Sequence, residues 1–351
     1  MNVKRAVIGI VAVVAALGAD ATASACTTFR MERGGDVVVG KSYDWSDGGG
    51  LVVANPRGLA KTALVMDPRD EPATWTAKYA SVTFNQYGRE LPNGGMNEAG
   101  LVVEVMWLQE TAWELRDERP AVNELQWIQM QLDRFATTAE VVRHAREVRV
   151  APVYGAVHWL VCDAAGACAA LEVLDRKLVV TEGAALAAPV LTNDTAAASR
   201  AALERAAGGE AATGPGSLAR YVRAARRAAA PAKGPLVAAA MATLDDVRTS
   251  ATQWNIVYEP KRGRVHFRTR AEAAVKTLDL KALARGCDEE AVALDIDAAD
   301  AGDATARFRP VTRAVNRARI VESLGKLGRQ GMIGLADRVA AYPEGMRCEA
   351  P

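Results

Sequence analysis

The sequence is poor in histidine, in aromatic side chains and in any excess of charge. Its 351 residues include only three histidines, and 43 basic side chains stand against 42 acidic ones. So few histidines, with no cysteine spacing typical of zinc, argue against a metal site. The balanced charge gives no basic surface for nucleic acid, which excludes that class of partner. After residue 25, no apolar run is long enough to cross a bilayer.

What the sequence does have begins with a targeting pattern. A short basic segment precedes 13 small or apolar residues, 6–18. Ala23-Ser24-Ala25 then matches the small-x-small pattern that signal peptidase accepts. The pattern predicts a secretory signal over residues 1–25 and an exported protein, periplasmic or secreted. The mature chain would begin at Cys26.

A cysteine directly after a signal sequence has two interpretations. It can be a nucleophile, or it can carry a lipid that anchors the protein to a membrane. Lipid-anchor sites normally have a large apolar residue three positions before the cysteine, whereas this chain has Ala23. Thr27 and Thr28 also lead into a strand pattern instead of a polar tether. The local residues leave both interpretations open.

The cysteine count singles out one thiol. An exported protein tends to pair its cysteines, and five leave one over. Cys162 and Cys168 flank a predicted hairpin turn, and pairing Cys287 with Cys348 would staple the C-terminal tail. We therefore expect disulfides at Cys162–Cys168 and Cys287–Cys348, with Cys26 free.

A thiol at a mature N-terminus brings its own base. The α-amine has an unperturbed pKa of about 7.7, so it can take the thiol proton directly or through a water. No Gly-x-Ser-x-Gly elbow is present, and none of His144, His158 and His266 lies in a catalytic motif. A nucleophile at Cys26 would need no histidine.

Strand patterns dominate the first two hundred residues, and helical patterns follow. The order of these elements predicts a mixed α+β fold, not a regular βαβ alternation. Predicted strands are Thr27–Met31, Asp36–Lys41, Leu51–Ala54, Leu101–Leu108, Ala156–Cys162, Cys168–Leu174, Leu178–Thr181 and the hairpin Gln253–Tyr258 with Arg264–Arg268. Predicted helices are Ala121–Phe135, Thr137–Glu147, a Gly- and Pro-interrupted series over 195–245, Val311–Leu327 and Ile333–Ala341.

Six motifs follow one another in an order typical of one family. They are Cys26-Thr27-Thr28-Phe29 with Gly40-Lys41-Ser42-Tyr43-Asp44-Trp45, Asn55-Pro56-Arg57-Gly58, Met96-Asn97-Glu98-Ala99-Gly100-Leu101, Val190-Leu191-Thr192-Asn193, Ser217-Leu218-Ala219-Arg220-Tyr221-Val222-Arg223 and Thr252-Gln253-Trp254. Together they resemble the choloylglycine hydrolase and penicillin V acylase family of N-terminal nucleophile hydrolases, which cleave linear amide C–N bonds. The resemblance covers roughly residues 26–270.

The resemblance implies a four-layer αββα sandwich and a set of roles. Cys26 would attack the amide and form a thioester, with its own amine as base. Asp44 would orient that amine, and Arg220 would organise the pocket near the sulfur. The Asn193 side chain and the backbone N–H of Trp107 would bind the oxyanion. No metal or organic cofactor is required. The implied division is an amide hydrolase domain over 26–284 and a helical extension over 285–351, packed on that domain.

Two departures from the family pattern affect the pocket. Lys41 stands where most relatives have arginine, so the charge is kept but the flat bidentate fork is lost. Trp107 occupies a position that differs between bile-salt hydrolases and penicillin V acylases, and with Trp45 it resembles the Gram-negative branch, where tryptophans line the acyl pocket. The expected substrate is an N-acyl compound: a penicillin V-like amide, an N-acyl homoserine lactone or a conjugated bile salt.

Two questions stay open in the sequence. In many relatives a longer segment between the counterparts of Asn193 and Arg220 helps to assemble a tetramer. The segment is shorter here, so the sequence leaves a homo-oligomer possible without establishing one. The alternative function is a non-catalytic or lipid-anchored exported protein of the same fold.

Overall fold

The computed structural model describes residues 25–153, 155–230, 234–298 and 301–349. The predicted signal segment falls outside the described residues except for Ala25. The fold is built on two large, mainly antiparallel sheets with helices outside them.

The first sheet has seven strands and begins directly after Cys26. Its strands, in spatial order, are β14 (Val190–Leu191), β1 (Thr27–Arg33), β2 (Asp36–Asp44), β15 (Thr252–Glu259), β16 (Arg264–Thr269), β17 (Lys276–Asp279) and β19 (Gly302–Asp303). Glycines at 34 and 35, both with positive φ, make the tight turn between β1 and β2. That turn sets the register that places Thr27 opposite Ser42.

The second sheet has nine strands. In spatial order they are β13 (Lys177–Glu182), β12 (Cys168–Leu174), β11 (Val157–Cys162), β8 (Val102–Trp107), β7 (Gly94–Asn97), β6 (Ser81–Asn85), β3 (Leu51–Asn55), β18 (Val292–Asp295) and β20 (Arg309–Pro310). Two small sheets sit beside it: β21 (Arg347–Cys348) with β4 (Leu59–Thr62) and β5 (Thr74–Thr76), and β9 (Ala121–Val122) with β10 (Arg149–Val150).

Eight α-helices cover these sheets. They are α1 (Gln126–Arg134), α2 (Thr138–His144), α3 (Ala196–Ala207), α4 (Ser217–Ala229), α5 (Leu236–Asp246), α6 (Leu280–Leu283), α7 (Arg313–Lys326) and α8 (Ile333–Ala341), counted over the described residues. Helices α1 and α2 share an apolar core with the nine-stranded sheet, and α3, α4 and α5 share one with the seven-stranded sheet.

A third apolar core lies between the two sheets and takes side chains from both. Strand alternation decides which side chains enter it: Val102 and Met106 of β8 face this inner space, whereas Val103 and Val105 face the α1 side. Each fully buried aliphatic side chain contributes about 2 kcal/mol through removal of apolar surface from water. The layer order is helices, sheet, sheet, helices, which confirms the expected α+β αββα sandwich. No helix in the described parts of the chain is long and apolar enough to span a membrane.

One predicted helix starts too early. The helical spacing placed its start at Ala121, but Ala121–Val122 pair with Arg149–Val150 as strands, and α1 begins at Gln126. The Asn123 side-chain oxygen accepts the Gln126 N–H at 2.8 Å, so Asn123 ends the extended segment and satisfies a free donor of the helix. The capping box predicted at Thr137 is present at the start of α2.

The C-terminal residues return to the sandwich. After β17, strand β18 joins the nine-stranded sheet beside β3, and the α7–α8 hairpin follows. Strand β21 then pairs with β4. Both expected disulfides are present, Cys162–Cys168 across the β11–β12 hairpin and Cys287–Cys348 at the tail, and Cys26 is free.

Candidate active site

Cys26 lies directly before β1 and is buried between the sheets. Its Sγ accepts the backbone N–H of Asp44 at 3.5 Å, because the β1–β2 pairing brings the start of one strand beside the end of the other. Burial raises the pKa of the thiol, and the positive charge of Lys41 opposes that rise. A thiol in this place needs a proton acceptor to become a nucleophile at neutral pH.

Asp44 ends β2 and is fully buried. Its carboxylate accepts hydrogen bonds from the Ser42 hydroxyl at 2.6 Å and the Thr249 hydroxyl at 3.0 Å. Burial raises the pKa of Asp44, and these donors limit the rise because they favour the charged form. The carboxylate is therefore fixed in place by two hydroxyls, one on β2 and one in the loop before β15.

Lys41 projects into the space between the sheets on the same face of β2 as Val39 and Tyr43. Its Nζ donates to the backbone oxygen of Val105 and lies 3.6 Å from a carboxylate oxygen of Glu104. Both side chains of the pair are about 2% exposed or less.

Glu104 is a charged residue on an otherwise apolar inner face of β8. Tyr258 donates a hydrogen bond of 2.6 Å to its Oε1. Burial raises its pKa to about 7, and the charge of Lys41 does not cancel that effect. Gly94 makes room for the carboxylate, since a Cβ there would lie 2.2 Å from Glu104 Oε2. Glu104 is thus the buried carboxylate partner of Lys41, which occupies the position where the family pattern has arginine.

Arg220 joins the segment around Cys26 to Asn193, which lies just after β14. One terminal nitrogen donates to the backbone oxygen of Cys26 at 2.7 Å and to the Thr27 hydroxyl at 2.6 Å, and the other donates to Asn193 Oδ1 at 2.8 Å. Asn193 Nδ2 in turn donates to the backbone oxygen of Trp107 at 2.9 Å. The planar fork of the guanidinium fixes three partners at once, which an ammonium cannot do in the same geometry.

A buried histidine, His158, holds the residue directly before Asn193. His158 bridges the Glu172 carboxylate at 3.1 Å and the backbone oxygen of Thr192 at 2.8 Å. Glu172 also accepts the N–H of Ala196 at the start of α3. None of the three histidines borders the Cys26 cavity.

An apolar cavity opens from Cys26. Trp45 and Trp107 line it, with their ring centroids 6.1 Å apart. The Trp45 indole nitrogen is buried and has no hydrogen-bond partner among the described residues. Leu64 and Met66 line a further stretch of the wall, and a third side comes from the C-terminal helices α7 and α8.

The structure brings the predicted residues together in one place. Contacts or charge interactions link Cys26 to Lys41, Asp44 and Arg220, and Arg220 to Asn193. Sequence reasoning missed Glu104, and the alternation of β8, which places it on the inner face, was the signal that could have found it. It also missed the lining role of α7 and α8, for which no local signal exists. Within the described residues, no cluster of three or more metal-ligating side chains occurs.

Comparison with known proteins shows which proteins this chain is similar to. The model of the "Linear amide C-N hydrolases, choloylglycine hydrolase family" matches residues 26–198, so the match begins at Cys26. A penicillin V acylase from Pectobacterium atrosepticum is 29% identical over 122 residues, which cover 30% of this chain. The aligned part spans 32% of that relative's own length, about a third.

Solved structures extend the similarity over most of the chain. Penicillin V acylase from Agrobacterium tumefaciens superposes with a TM-score of 0.71 and 25% identity, covering 82% of this chain and 98% of that one. A variant of conjugated bile acid hydrolase from Clostridium perfringens gives 0.62 and 16% identity, over 77% and 97% of the two chains. At that identity the second similarity speaks for the fold alone.

Proposed function

We propose that this chain, which belongs to the choloylglycine hydrolase family of linear amide C–N hydrolases, hydrolyses the amide bond of an N-acyl compound with Cys26 as nucleophile. The observation that carries the proposal is the position of the free Cys26 thiol. It borders an apolar cavity and lies among Lys41, Asp44, Arg220 and Asn193. The family model's match, which starts at this residue, supports the same assignment.

Removal of residues 1–25 would supply the base. Cleavage after Ala25 leaves an α-amine on Cys26, where its unperturbed pKa of about 7.7 suits proton transfer near neutral pH. The amine takes the thiol proton, and the thiolate attacks the carbonyl carbon of the amide. The Asp44 carboxylate, held by Ser42 and Thr249, lies beside Cys26 and would orient the resulting ammonium.

The oxyanion that forms needs donors already aimed at it. An Asn side-chain nitrogen carries two N–H groups, and only one is needed for the bond from Asn193 to the Trp107 carbonyl. The Leu108 N–H donates to the backbone oxygen of Ala156, next to β11. Successive N–H groups of an extended strand point to opposite sides, so the N–H of Trp107 points away from β11. These two groups are the proposed oxyanion donors.

Collapse of the tetrahedral intermediate completes the first half of the reaction. The C–N bond breaks, the ammonium returns its proton to the leaving amine, and Cys26 keeps the acyl group as a thioester. The α-amine then takes a proton from water, the hydroxide attacks the thioester, and the carboxylic acid leaves with the thiol restored. The candidate substrates are penicillin V-like amides, N-acyl homoserine lactones and conjugated bile salts, and the cavity's apolar lining suits the acyl part of each.

Turnover of an N-acyl amide panel by three forms of the protein tests the proposal. The forms are the exported wild type, Cys26→Ala, and a chain whose leader is blocked from cleavage, so that Ala25 still precedes the thiol. We expect turnover only in the wild type, and an intact mass that begins at unmodified Cys26. Cys26→Ser serves as a near-isosteric control for folding, assessed by thermal unfolding.

The same measurements address the alternative function. A wild-type mass that includes a lipid on Cys26, or activity that survives in Cys26→Ala, would contradict the proposed mechanism. A correctly processed wild type that cleaves no member of the panel would favour a non-catalytic exported protein. Export to the periplasm or the medium is part of the proposal and is read from the compartment in which the processed chain is recovered.

A further inference from the structure

We infer that the α7–α8 hairpin forms the far wall of the acyl pocket and sets the length of acyl chain that the enzyme accepts. The inference rests on the proposed function, and it assigns a specificity role to residues outside the 26–198 family match. It was not foreseen from the sequence, where this segment resembled a structural extension.

The hairpin contributes a continuous apolar surface to the cavity that begins at Cys26. Except for Arg329, the side chains that it adds to the lining are apolar: Ile320, Leu324, Leu327, Met332, Leu335, Ala336 and Val339. They follow helical spacing, with 320 and 324 on α7 and 327 just after it, and with 332 just before α8 and 335, 336 and 339 on it. Each helix therefore turns one stripe towards the cavity. The stripes also pack on Leu64, Met66 and Leu91 from the body of the sandwich.

The wall is held in place at both ends. Before α7, strand β20 pairs with β18 in the nine-stranded sheet. After α8, β21 pairs with β4, and Cys348 is disulfide-bonded to Cys287. These attachments fix the hairpin as a rigid side of the pocket.

Specific contacts also fix the hairpin along its length. Ser323 donates to the backbone oxygen of Gln86 at 2.9 Å, and Asn316 accepts the backbone N–H of Arg89 at 2.8 Å. Gly88, at φ +108°, lets Ile320 approach closely, since a Cβ there would lie 2.8 Å from its Cδ1. Because these contacts hold the hairpin in position, its distance from the Cys26 thiol limits the length of acyl chain that fits between them.

The chemistry of the lining points to an aliphatic acyl group. Leucine, isoleucine, valine and methionine offer dispersion contacts and no hydrogen-bonding group, so they stabilise methylene and methyl groups without fixing an orientation. Trp45 directly follows Asp44, whose backbone N–H bonds to Cys26 Sγ, so the first atoms of the acyl group would sit beside the tryptophan pair. The aliphatic wall, which packs on Leu64, Met66 and Leu91, would then contact the later atoms of the acyl chain. In such a pocket one methylene changes selectivity by about tenfold or more.

Opposite substitutions at one lining position test the inference. Leu335 is only partly buried, so it can be replaced at small cost to folding. Leu335→Trp fills the far end of the pocket, and Leu335→Ala enlarges it. Val315→Trp, on the exposed side of α7 and outside the lining, is the matched control. Each variant is assayed for kcat/KM with one amine carrying butanoyl, octanoyl, dodecanoyl or hexadecanoyl groups.

The expected result is a shift of the preferred length in opposite directions. Leu335→Trp should lose at least about tenfold in kcat/KM on the longest chain that wild type accepts and keep butanoyl turnover within about twofold. Leu335→Ala should move the optimum to longer chains, and Val315→Trp should match wild type.

Two results would overturn the inference while leaving the proposed function intact. One is an unchanged length profile in both Leu335 variants, and the other is an equal loss at every length. A wild type that cleaves no acyl amide of any length would instead remove the proposed function itself.

Discussion

Glu104 places a carboxylate in the apolar core between the two sheets, and replacing it with glutamine should change how the free energy of unfolding depends on pH. The side chain lies between the sheets, 3.6 Å from the Lys41 ammonium and hydrogen-bonded to Tyr258. Its pKa in the folded protein is about 7, against an ordinary value of 4.5, because burial penalises the charged form. The folded state therefore holds the Glu104 proton more tightly than the unfolded state does.

The sign and size of the effect follow from that difference. A raised carboxyl pKa contributes stability that is complete below pH 4.5 and is lost as the pH rises through about 7. Each pKa unit corresponds to about 1.4 kcal/mol, so the loss amounts to about 3 kcal/mol. Glutamine resembles the protonated carboxyl and does not ionise. The variant should therefore lack this loss.

Urea unfolding of wild type and Glu104→Gln, followed by tryptophan fluorescence, measures the effect. The free energy of unfolding of the variant relative to wild type should increase by about 3 kcal/mol between about pH 5 and about pH 9. Glu210→Gln, which removes an exposed carboxylate, is the control and should show no such trend. If the relative stability of Glu104→Gln did not change over this range, or changed in the opposite direction, the reasoning from burial would be refuted.

Two other substitutions test how the buried charges are held. Arg220→Lys keeps the charge but loses the fork that joins the Cys26 segment to Asn193, so kcat should fall by a factor on the order of 100. The thermal midpoint should also fall, because buried hydrogen bonds to Thr27 and Asn193 are lost, and full activity of the folded variant would show that the fork is dispensable. Lys61→Met removes a buried ammonium that lies 2.6 Å from Glu90 and 2.9 Å from Asp133, and it should lower the free energy of unfolding by about 3–5 kcal/mol in urea titrations at neutral pH. A free energy of unfolding equal to that of wild type would mean that Glu90 and Asp133 tolerate burial without the Lys61 ammonium.

The buried group formed by Lys61, Glu90 and Asp133 could not be predicted from the sequence. Lys61, Glu90 and Asp133 are far apart in the chain and carry no motif. They meet because β4 pairs with β5, which packs on α1, and Trp75 of β5 donates to Asp133 as well. No local pattern can predict such a meeting, because the charges are compensated only after the long-range contacts form.

Several hairpins and helices of the sandwich could nevertheless be predicted from short stretches of sequence. The β1–β2 and β15–β16 hairpins, the β11–β12 hairpin and the α8 helix have nearly the bounds that periodicity and turn residues predict. Alternation and capping act over a few residues, so the sequence itself carries them. The start of α1 was predicted too early, because Ala121–Val122 pair with Arg149–Val150, 28 residues farther along the chain, and that pairing outweighs their helical spacing. Strands β6, β7 and β18 were not predicted either.

Sequence alone determined that Cys26 follows a leader pattern, that it is the odd cysteine of five, and that Asp44, Asn193 and Arg220 occur in motifs typical of one family. These are properties of order and spacing along the chain. The tertiary structure alone decided that Glu104 faces Lys41 and that α7 and α8 line the same cavity as Cys26. Both depend on the register of strands and on packing between segments more than fifty residues apart, and no short stretch of sequence encodes either.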